Sequence, residues 1–251
     1  MTSTPDRQML AARNNALWCD VVARSHGVTG VLDELGWTSP TRTPPYYPDA
    51  VTLSPDAEEY DLLARVDDSD GCSVKDSWGR LDLSLEDFAR IVVGEWVWLD
   101  PQTPLADAIG SADSADSAAT RRWSRVTSAE GMSAWVAAWS TDPEAAGILR
   151  ASLLDEPGVH VLAASSPDDA DDAGDAAVVA GAILHVTGEV AGLGNLFARD
   201  GDSNRVWREA AATARDIAPG LPLVGWEAGV GLEAALAAGC EAVGALTVWL
   251  K

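Results

Sequence analysis

The side chains that most often carry out chemistry in proteins are sparse in this sequence. Three cysteines, Cys19, Cys72 and Cys240, are odd in number and far apart, so they form neither a disulfide framework nor a C-x-x-C metal pattern. His26 and His160 have no acidic or cysteine neighbours at the spacing of metal ligands. We therefore expect no metal site and a reducing environment.

A proline-rich segment from Thr38 to Pro48 holds several side chains suited to recognition. Because prolines remove backbone donors and fix φ, this segment is neither a regular helix nor a central strand. In or beside it lie Trp37, Arg42, Tyr46 and Tyr47. Exposed aromatic side chains on a stiff loop suit the binding of a ligand or partner. The alternative, which we favour, is that they pack two halves of the chain together.

The chain is strongly acidic, since its 251 residues carry a formal net charge of −22. Such a surface repels nucleic acid and anionic membranes, so we expect neither as a partner. It attracts small-molecule amines, although acidity also serves solubility alone. With 47% apolar residues and 11 Trp, the chain can bury a sizeable core. Because no apolar run approaches ~20 residues and the first residues lack an apolar signal core, we expect a cytoplasmic protein.

Helix and strand patterns alternate in the first half of the chain. Apolar residues recur at helical spacing over 8–25, followed by Gly27 as a suitable C-cap. Strands are predicted at 50–53, 72–77 and 95–99, and helices at 55–66 and 84–93, the latter capped by Ser84. Lys75 and Asp76 lie on the second strand, where they form either a functional pair or, more commonly, an exposed ion pair.

A small, polar and nearly repetitive sequence at 104–121 interrupts this alternation. It contains Gly110-Ser-Ala-Asp-Ser-Ala-Asp-Ser-Ala-Ala, which buries too little apolar surface to offset the entropy of ordering. A flexible linker is therefore predicted. It divides the chain into an α/β module at 1–103 and a second domain at 122–251.

The second half alternates more clearly. Strands are predicted at 123–127, 159–164, 176–186, 190–198, 221–227 and 243–250, with helices at 129–139, 144–154, 204–217 and 231–238. Three strands in a row form an antiparallel meander, and the later strand–helix units add parallel or edge strands. This order predicts an α/β (α+β) fold with a mixed, mostly antiparallel sheet flanked by helices.

The order β-α-α-β-β-β-α-β-α-β resembles the GNAT superfamily of N-acetyltransferases, and residues 122–251 cover essentially the whole family domain. Val190-Ala-Gly-Leu-Gly-Asn-Leu-Phe-Ala198 is similar to the family's fourth strand. Leu232-Glu-Ala-Ala-Leu-Ala-Ala-Gly-Cys240, followed by Val243-Gly244, is similar to its last helix and the turn after it. The chain also resembles actinobacterial GNAT-like proteins with Pro-rich and Val-Lys-Asp-Ser segments.

The end of the first half resembles the end of the second. Residues 73–78 and 93–99 parallel residues 223–227 and 243–250, and both closing strands run from Val-Gly to Trp-Leu. The first half is therefore interpreted as an incomplete GNAT-like repeat. The alternative is a family-specific α/β module that shapes the substrate cleft.

The resemblance implies a loop that binds the pyrophosphate of acetyl-CoA through backbone N–H groups at a helix N-terminus. The family pattern is Arg/Gln-x-x-Gly-x-Gly/Ala, and the loop here is Arg199-Asp200-Gly201-Asp202-Ser203-Asn204. Arg199 matches, but Gly201 is one place early and two aspartates add negative charge, so the motif is degenerate. The residues implied in acetyl-CoA binding are Leu196, Phe197, Ala198, Arg199, Gly201, Ser203, Asn204 and Arg205.

The resemblance also implies a carboxylate base on a central strand and a tyrosine that protonates the leaving thiolate. Ala235 stands at the tyrosine position. The remaining catalytic candidates are Glu227 as the base, Cys240 as a proton donor and His185 on the third strand. The implied function is transfer of an acetyl or related acyl group from CoA to a small-molecule amine. The alternatives are an inactive GNAT-like protein that binds a ligand or partner, and a GNAT scaffold with CoA-independent chemistry.

Overall fold

A computed structural model of the protein describes residues 2–105, 121–166 and 177–251. The helices are α1 (Thr4–Ser25), α2 (Glu59–Leu63), α3 (Ala129–Trp139), α4 (Ser203–Ile217) and α5 (Gly229–Ala237). The strands are β1 (Val31–Leu32), β2 (Gly36–Thr38), β3 (Ala50–Thr52), β4 (Ser73–Asp76), β5 (Ala89–Leu99), β6 (Arg122–Arg125), β7 (Val159–Ser165), β8 (Val178–Thr187), β9 (Val190–Ala198), β10 (Leu223–Glu227) and β11 (Glu241–Leu250). Most of the predicted linker, 106–120, lies outside the described residues.

Helix α1 begins earlier than its apolar periodicity predicts because its first turn is capped. The Ser3 hydroxyl accepts a hydrogen bond from the Asp6 amide, and the Asp6 carboxylate accepts one from the Ser3 amide. Pro5 lies in the first turn, where its missing N–H leaves no hydrogen bond unmade. Beyond the other end Gly27 takes a φ of +77°, which turns the chain away.

The strands form one eleven-stranded sheet in the order β1-β2-β3-β4-β11-β5-β10-β9-β8-β7-β6. The pairs β3–β4 and β9–β10 are parallel, and the other neighbouring pairs are antiparallel. Strands β7, β8 and β9 form the predicted meander. The mixed, mostly antiparallel sheet confirms the predicted fold class.

The two halves of the chain complete this sheet by exchanging strands. Strand β5 of the first half pairs with β10 on one side, where Trp96 lies opposite Trp226, and with β11 on the other. Strand β11 of the second half in turn pairs with β4, where Val248 lies opposite Lys75. The order β4-β11-β5-β10 therefore alternates between the halves. The interpretation of the first half as an incomplete repeat, and the domain boundaries, stay predictions.

The predicted helix at 84–93 is wrong. Leu83–Glu86 form a short 3-10 turn capped by Asp82, not by Ser84. Asp87 then adopts a φ of +64°, which ends the turn, and β5 begins at Ala89. Hydrogen bonding to β11, far along the chain, decides the structure of these residues, and local helical spacing cannot report it.

Other boundaries in the first and second halves also differ. The predicted helix at 144–154 consists of two 3-10 turns, Ala145–Gly147 and Ala151–Asp155. The helix predicted at 55–66 is limited to α2, and the short strands β1 and β2 were not predicted. Short elements of this kind depend on tertiary packing more than on periodicity.

Helices cover both faces of the sheet. Helix α1 crosses the middle of one face, contacting β5, β8, β9, β10 and β11, and α3 packs beside it on β8. Helices α4 and α5 cover the opposite face over β9, β10 and β5. Helix α1 from the first half thus lies over strands of both halves. Within the described ranges no helix is both long and apolar enough to cross a bilayer.

Candidate functional site

Strands β9 and β10 separate at the centre of the sheet. Their parallel pairing is limited to Leu223 with Ala191 and Val224 with Gly192. Beyond this point β9 stays paired with β8, and β10 stays paired with β5. We call the space between 194–198 and 226–227 the gap. Gly194 borders open space there, since a Cβ at this position would meet no atom within 4 Å.

A β-bulge lies on β9 at the gap. Ile183 of β8 pairs with Gly194, but the next pair joins Gly181 to Phe197. Two residues of β9 therefore face one residue of β8, and Asn195 takes a φ of +51°. Bulges of this kind redirect backbone groups and side chains next to functional sites. The bulge follows directly after the residues where β9 and β10 separate.

A cavity of about 1160 Å³ opens at the gap, a volume suited to a small-molecule ligand. One wall is the α1 face that carries Asn14, Asn15, Trp18 and Cys19. The proline-rich loop at 42–48 and residues 139–145 form two further walls. Residues 70–71, before β4, and strands β4, β5, β8, β9, β10 and β11 supply most of the remaining residues. The cavity is therefore built by both halves of the chain.

Lys75 on β4 is buried in the wall of this cavity and is only 5% exposed. Its Nζ donates one hydrogen bond to Asn15 Oδ1 at 2.8 Å and lies 4.7 Å from the centroid of the Trp226 ring. Burial lowers the pKa of this ammonium group, and the nearby Cys19 partly opposes the shift. The expected exposed ion pair with Asp76 is wrong, because Asp76 is also buried and accepts hydrogen bonds from the amides of Trp78 and Leu81.

Glu227 ends β10 and lines the cavity at the gap. Its side chain packs against α5, where a Cβ built on Gly231 would lie 2.3 Å from Glu227 Oε2. Burial raises the pKa of Glu227 to about 7, and the neighbouring Trp207 indole opposes this shift. The buried Trp207 Nε1 nevertheless makes no well-formed hydrogen bond within the described residues. Glu227 is thus a half-buried carboxyl group that titrates near neutral pH.

His185 on β8 lines the same cavity, with its ring 5.8 Å from the Trp18 ring. Burial lowers the pKa of His185 to about 4, so the ring is neutral at physiological pH. Its buried Nδ1 has no hydrogen-bond partner among the described residues. Asn14 Nδ2 fixes the backbone here by donating to the His185 carbonyl oxygen at 2.9 Å. His185 can therefore offer a ring nitrogen to a ligand, but it is a weak proton acceptor.

Cys240 lies on the opposite side of the sheet, packed with α4 and α5, and is not among the cavity-lining residues. Burial raises the pKa of its thiol to about 12, and the charge of Glu227 adds to the effect. A thiol with such a pKa remains protonated at neutral pH. The structure therefore brings Glu227 and His185 to one cavity and leaves Cys240 outside it.

The residues predicted to bind acetyl-CoA are distributed along the end of β9 and the start of α4. Leu196 lines the cavity, and Phe197 packs edge-on against Trp135 with ring centroids 5.1 Å apart. Ala198 ends β9, Arg199 is exposed, and Ser203 begins α4. Gly201 and Asn204 are exposed, and Arg205 Nε forms an ion pair with Glu209 Oε1 at 2.8 Å.

The loop before α4 satisfies several of its own backbone donors. Asp202 Oδ1 accepts from the Arg205 amide at 2.9 Å and caps α4, while Asp200 Oδ1 accepts from the Asp202 amide at 3.1 Å. Asp200 also forms an ion pair with Arg121 at 2.5 Å. Two carboxylates thus occupy N–H groups that a pyrophosphate would use. As it stands, this loop does not fit the pyrophosphate of CoA.

Contacts of Arg42, Tyr46 and Tyr47 hold the proline-rich loop at the cavity. Arg42 donates to the buried Asp49 at 2.7 Å, which anchors the start of the loop. Tyr47 is buried beside Trp18 and Asn195, and these contacts oppose the rise in its pKa that burial causes. The Tyr46 hydroxyl donates to Asp142 of the second half. Tyr46 and Tyr47 therefore contact the second half, and both also line the cavity.

Several cavity residues were missed by the sequence reasoning. They are Asn14, Asn15, Trp18, Cys19 and Trp226. One available signal was the pair Asn14-Asn15 within an apolar stretch of α1, since neighbouring amides in such a helix need polar partners. A second was the scarcity of lysine: the chain has only Lys75 and Lys251. Among the described residues no cluster of His, Cys, Asp or Glu is arranged to hold a metal.

The sequence matches no protein-family model and no curated protein. A functionally unknown conserved protein from Staphylococcus epidermidis has a TM-score of 0.54 and 12% identity, covering 88% of this chain and 92% of that one. A protein attributed to the GNAT family of acetyltransferases, from Novosphingobium aromaticivorans, has a TM-score of 0.50 and 13% identity over 94% and 96%. A GCN5-related N-acetyltransferase-like protein from Streptococcus suis has a TM-score of 0.50 and 11% identity over 99% and 100%. Because identities in this range establish the fold alone, the chain is assigned the GNAT-like fold of these acetyltransferase structures.

Proposed function

We propose that the protein transfers an acetyl or related acyl group from a CoA thioester to an amine of a small molecule held in the cavity. The observation that carries this proposal is Glu227, a carboxyl group at the gap whose pKa is raised to about 7. A base with this pKa is about half ionised at pH 7 and accepts a proton readily. The GNAT-like fold supports the same reaction class without identifying the substrate.

Glu227 is proposed to deprotonate the acceptor. A primary amine is an ammonium ion at neutral pH, and the acidic protein surface attracts it. The ammonium nitrogen gives one proton to the Glu227 carboxylate, directly or through a water molecule, and thereby gains the lone pair needed for attack. Gly231 leaves room for this carboxylate beside α5.

The bulged end of β9 is proposed to hold the reacting carbonyl group. Backbone N–H groups between Leu196 and Ala198 are the candidates for stabilising negative charge on its oxygen. The turn at Asn195 redirects the chain at this point, and Gly194 leaves open space beside it. The cavity and the gap would then hold acceptor and thioester in adjacent positions, which is a large part of catalysis by proximity.

The proposed CoA site has two parts, the gap and the loop before α4, and the gap fits CoA better than the loop does. When bound, CoA supplies an acyl carbon activated as a thioester. The uncharged arm of CoA is proposed to lie in the gap between β9 and β10, and the open space at Gly194 supports this placement. The loop before α4 fits the pyrophosphate only if the Asp200 and Asp202 carboxylates move away from the amides they occupy.

A second candidate function, the binding of a ligand without acyl transfer, is favoured by the loop before α4, because its own carboxylates already accept hydrogen bonds from its amides. A GNAT-like protein that binds a small molecule in the cavity without transferring an acyl group needs no phosphate site. The Asp200 and Asp202 carboxylates, which are exposed but already hydrogen-bonded to loop amides, suit such a protein better than they suit an acetyl-CoA-dependent N-acetyltransferase.

Thiol release from acetyl-CoA in the presence of a panel of amines tests the proposal. We expect Glu227→Gln to lower kcat/KM by ~10²–10⁴-fold at neutral pH, since Gln keeps the shape but not the basicity. The rate of the natural protein should rise with pH through a midpoint near 7, because the base must be deprotonated. Glu233→Gln, on the exposed side of α5, is the matched control and should leave the rate unchanged. No release with any amine, together with no change in Tm on adding acetyl-CoA, would favour the binding protein.

A further inference from the structure

Lys75 places a basic amino group in the cavity wall without a carboxylate partner among the described residues. Its ammonium group has three donors, and the structure gives it one hydrogen bond, to the neutral side chain of Asn15. The Trp226 ring stabilises the charge from a second side but accepts no full hydrogen bond. Two N–H donors of Lys75 are therefore left for something else in the cavity.

A buried, unpaired ammonium group is costly in a folded protein. Transfer of such a charge from water is unfavourable unless a counter-ion compensates it. The chain has an abundance of acidic residues, 39 Asp and Glu against 17 Lys and Arg, yet none is paired with this lysine in the described structure. The missing counter-charge is thus most simply supplied by a ligand.

We infer that the cavity binds a small-molecule monocarboxylate, whose carboxylate pairs with Lys75 and whose apolar body contacts the aromatic walls. The walls include Trp18, Tyr47, Trp139 and Trp226. If the proposed acyl transfer holds, this molecule is the acceptor and carries the amine as well; that extension rests on the proposed function, whereas carboxylate binding does not.

The charges around the cavity favour a monocarboxylate over a phosphate. The other cationic side chain in the wall, Arg42, is already paired with the buried Asp49. Exposed acids at Asp70 and Glu144 also line the cavity and repel a dianion more strongly than a monoanion. Lys75 offers the ligand one positive charge, and the carboxyl group of Glu227 in the same cavity adds to the repulsion of a dianion.

The scarcity of lysine allows a direct test by NMR. In full-length Lys251→Arg protein labelled with ¹³C at lysine Cε, the single lysine signal belongs to Lys75. The probes are phenylacetate, 4-phenylbutyrate and L-phenylalanine, each compared with its carboxamide, which lacks the negative charge of the carboxylate. We expect at least one carboxylate, but not its amide, to shift this signal in a saturable way and to raise the pH at which Lys75 titrates.

The variant Lys75→Met supplies the second measurement. It should lower the affinity of the effective carboxylate by at least ~10-fold, while binding of the matching amide is unchanged or improved. Its Tm without ligand should be unchanged or higher, because an uncompensated buried charge has been removed.

Two results would overturn the inference. One is the absence of a saturable shift of the Lys75 signal with all three carboxylates. The other is an equal response to carboxylates and amides, which would mean that the cavity recognises only the apolar body. The NMR titration and the affinity of Lys75→Met involve neither CoA nor turnover. Both therefore test carboxylate binding even if the protein transfers no acyl group. Carboxylate binding without thiol release would retain this inference and reject the proposed function.

Discussion

The Lys75 ammonium nitrogen lies 4.7 Å from the centroid of the Trp226 ring, which brings β4 of the first half into contact with β10 of the second. The strands β11 and β5 lie between them in the sheet. The two long side chains therefore meet above the strands that the halves exchange. Residues of both halves line the cavity, so the contact between Lys75 and Trp226 forms only when the two halves share one sheet.

The pH dependence of stability should report the burial of Glu227. Its pKa rises from an ordinary value near 4.5 to about 7, so the folded protein binds this proton more tightly than the unfolded chain. The free energy of unfolding therefore falls as pH increases between these two values. We expect Glu227→Gln to remove this decline and to be more stable than the natural protein at about pH 8, by up to roughly 2–3 kcal/mol.

Urea unfolding of both proteins at about pH 4, 6 and 8 measures this difference. It should be smallest at the lowest pH, where the carboxyl group is protonated in both states. Glu233→Gln serves as the exposed control on the same helix. A stability difference that does not change with pH would show that Glu227 is not buried as a titrating group.

Gly231→Ala should displace the Glu227 carboxylate without removing it. The added methyl group would lie 2.3 Å from Glu227 Oε2, far inside contact distance. If Glu227 is the base, we expect kcat/KM to fall by at least ~10-fold, although alanine favours a helix more than glycine does. Gly147→Ala is the matched control, since a Cβ there meets no atom within 4 Å. Activity equal to that of the control would argue against Glu227 as the base.

Asp202→Asn should strengthen the binding of CoA if the loop before α4 is the pyrophosphate site. Asparagine caps helices as well as aspartate does, so α4 should keep its first turn while one negative charge is lost. We expect the Kd for acetyl-CoA to fall about threefold to tenfold, measured by calorimetry. Asp216→Asn, in the last turn of α4, is the control for the loss of charge alone. Equal affinities in both variants would place the phosphates elsewhere.

Cleavage between the halves should not separate them. A protease site inserted within 106–120 would yield two fragments, but β5 stays hydrogen-bonded between β10 and β11. We expect the cut protein to elute as a single species of unchanged size in native buffer and to separate only in denaturant. Separation in native buffer would mean that the shared sheet does not hold the halves together.

Most of the second half could be predicted from sequence because its elements are encoded locally. The helix at 129–139 matches α3, and the predicted strand at 190–198 matches β9. The first half was harder, since residues 89–93 show helical spacing yet form a strand paired with β11. A partner more than a hundred residues away leaves no local signal in a single sequence.

The candidate site was also predicted only in part, because contacts between distant parts of the chain bring some of its residues together. Glu227 and His185 were identified through their positions on predicted strands, and both line the cavity. Lys75 was interpreted as an exposed residue, because a strand sequence does not reveal that α1 and the proline-rich loop will cover it. Burial changes the chemistry of a lysine more than its neighbours in sequence do.

The exchange of strands also sets the order in which this chain can fold during its synthesis. Strand β5 leaves the ribosome long before β10 and β11, the two strands that flank it. At typical synthesis rates the wait is on the order of ten seconds. During that time β5 lacks both of its native sheet neighbours, and unpaired strand edges are the kind of surface that favours aggregation before folding is complete.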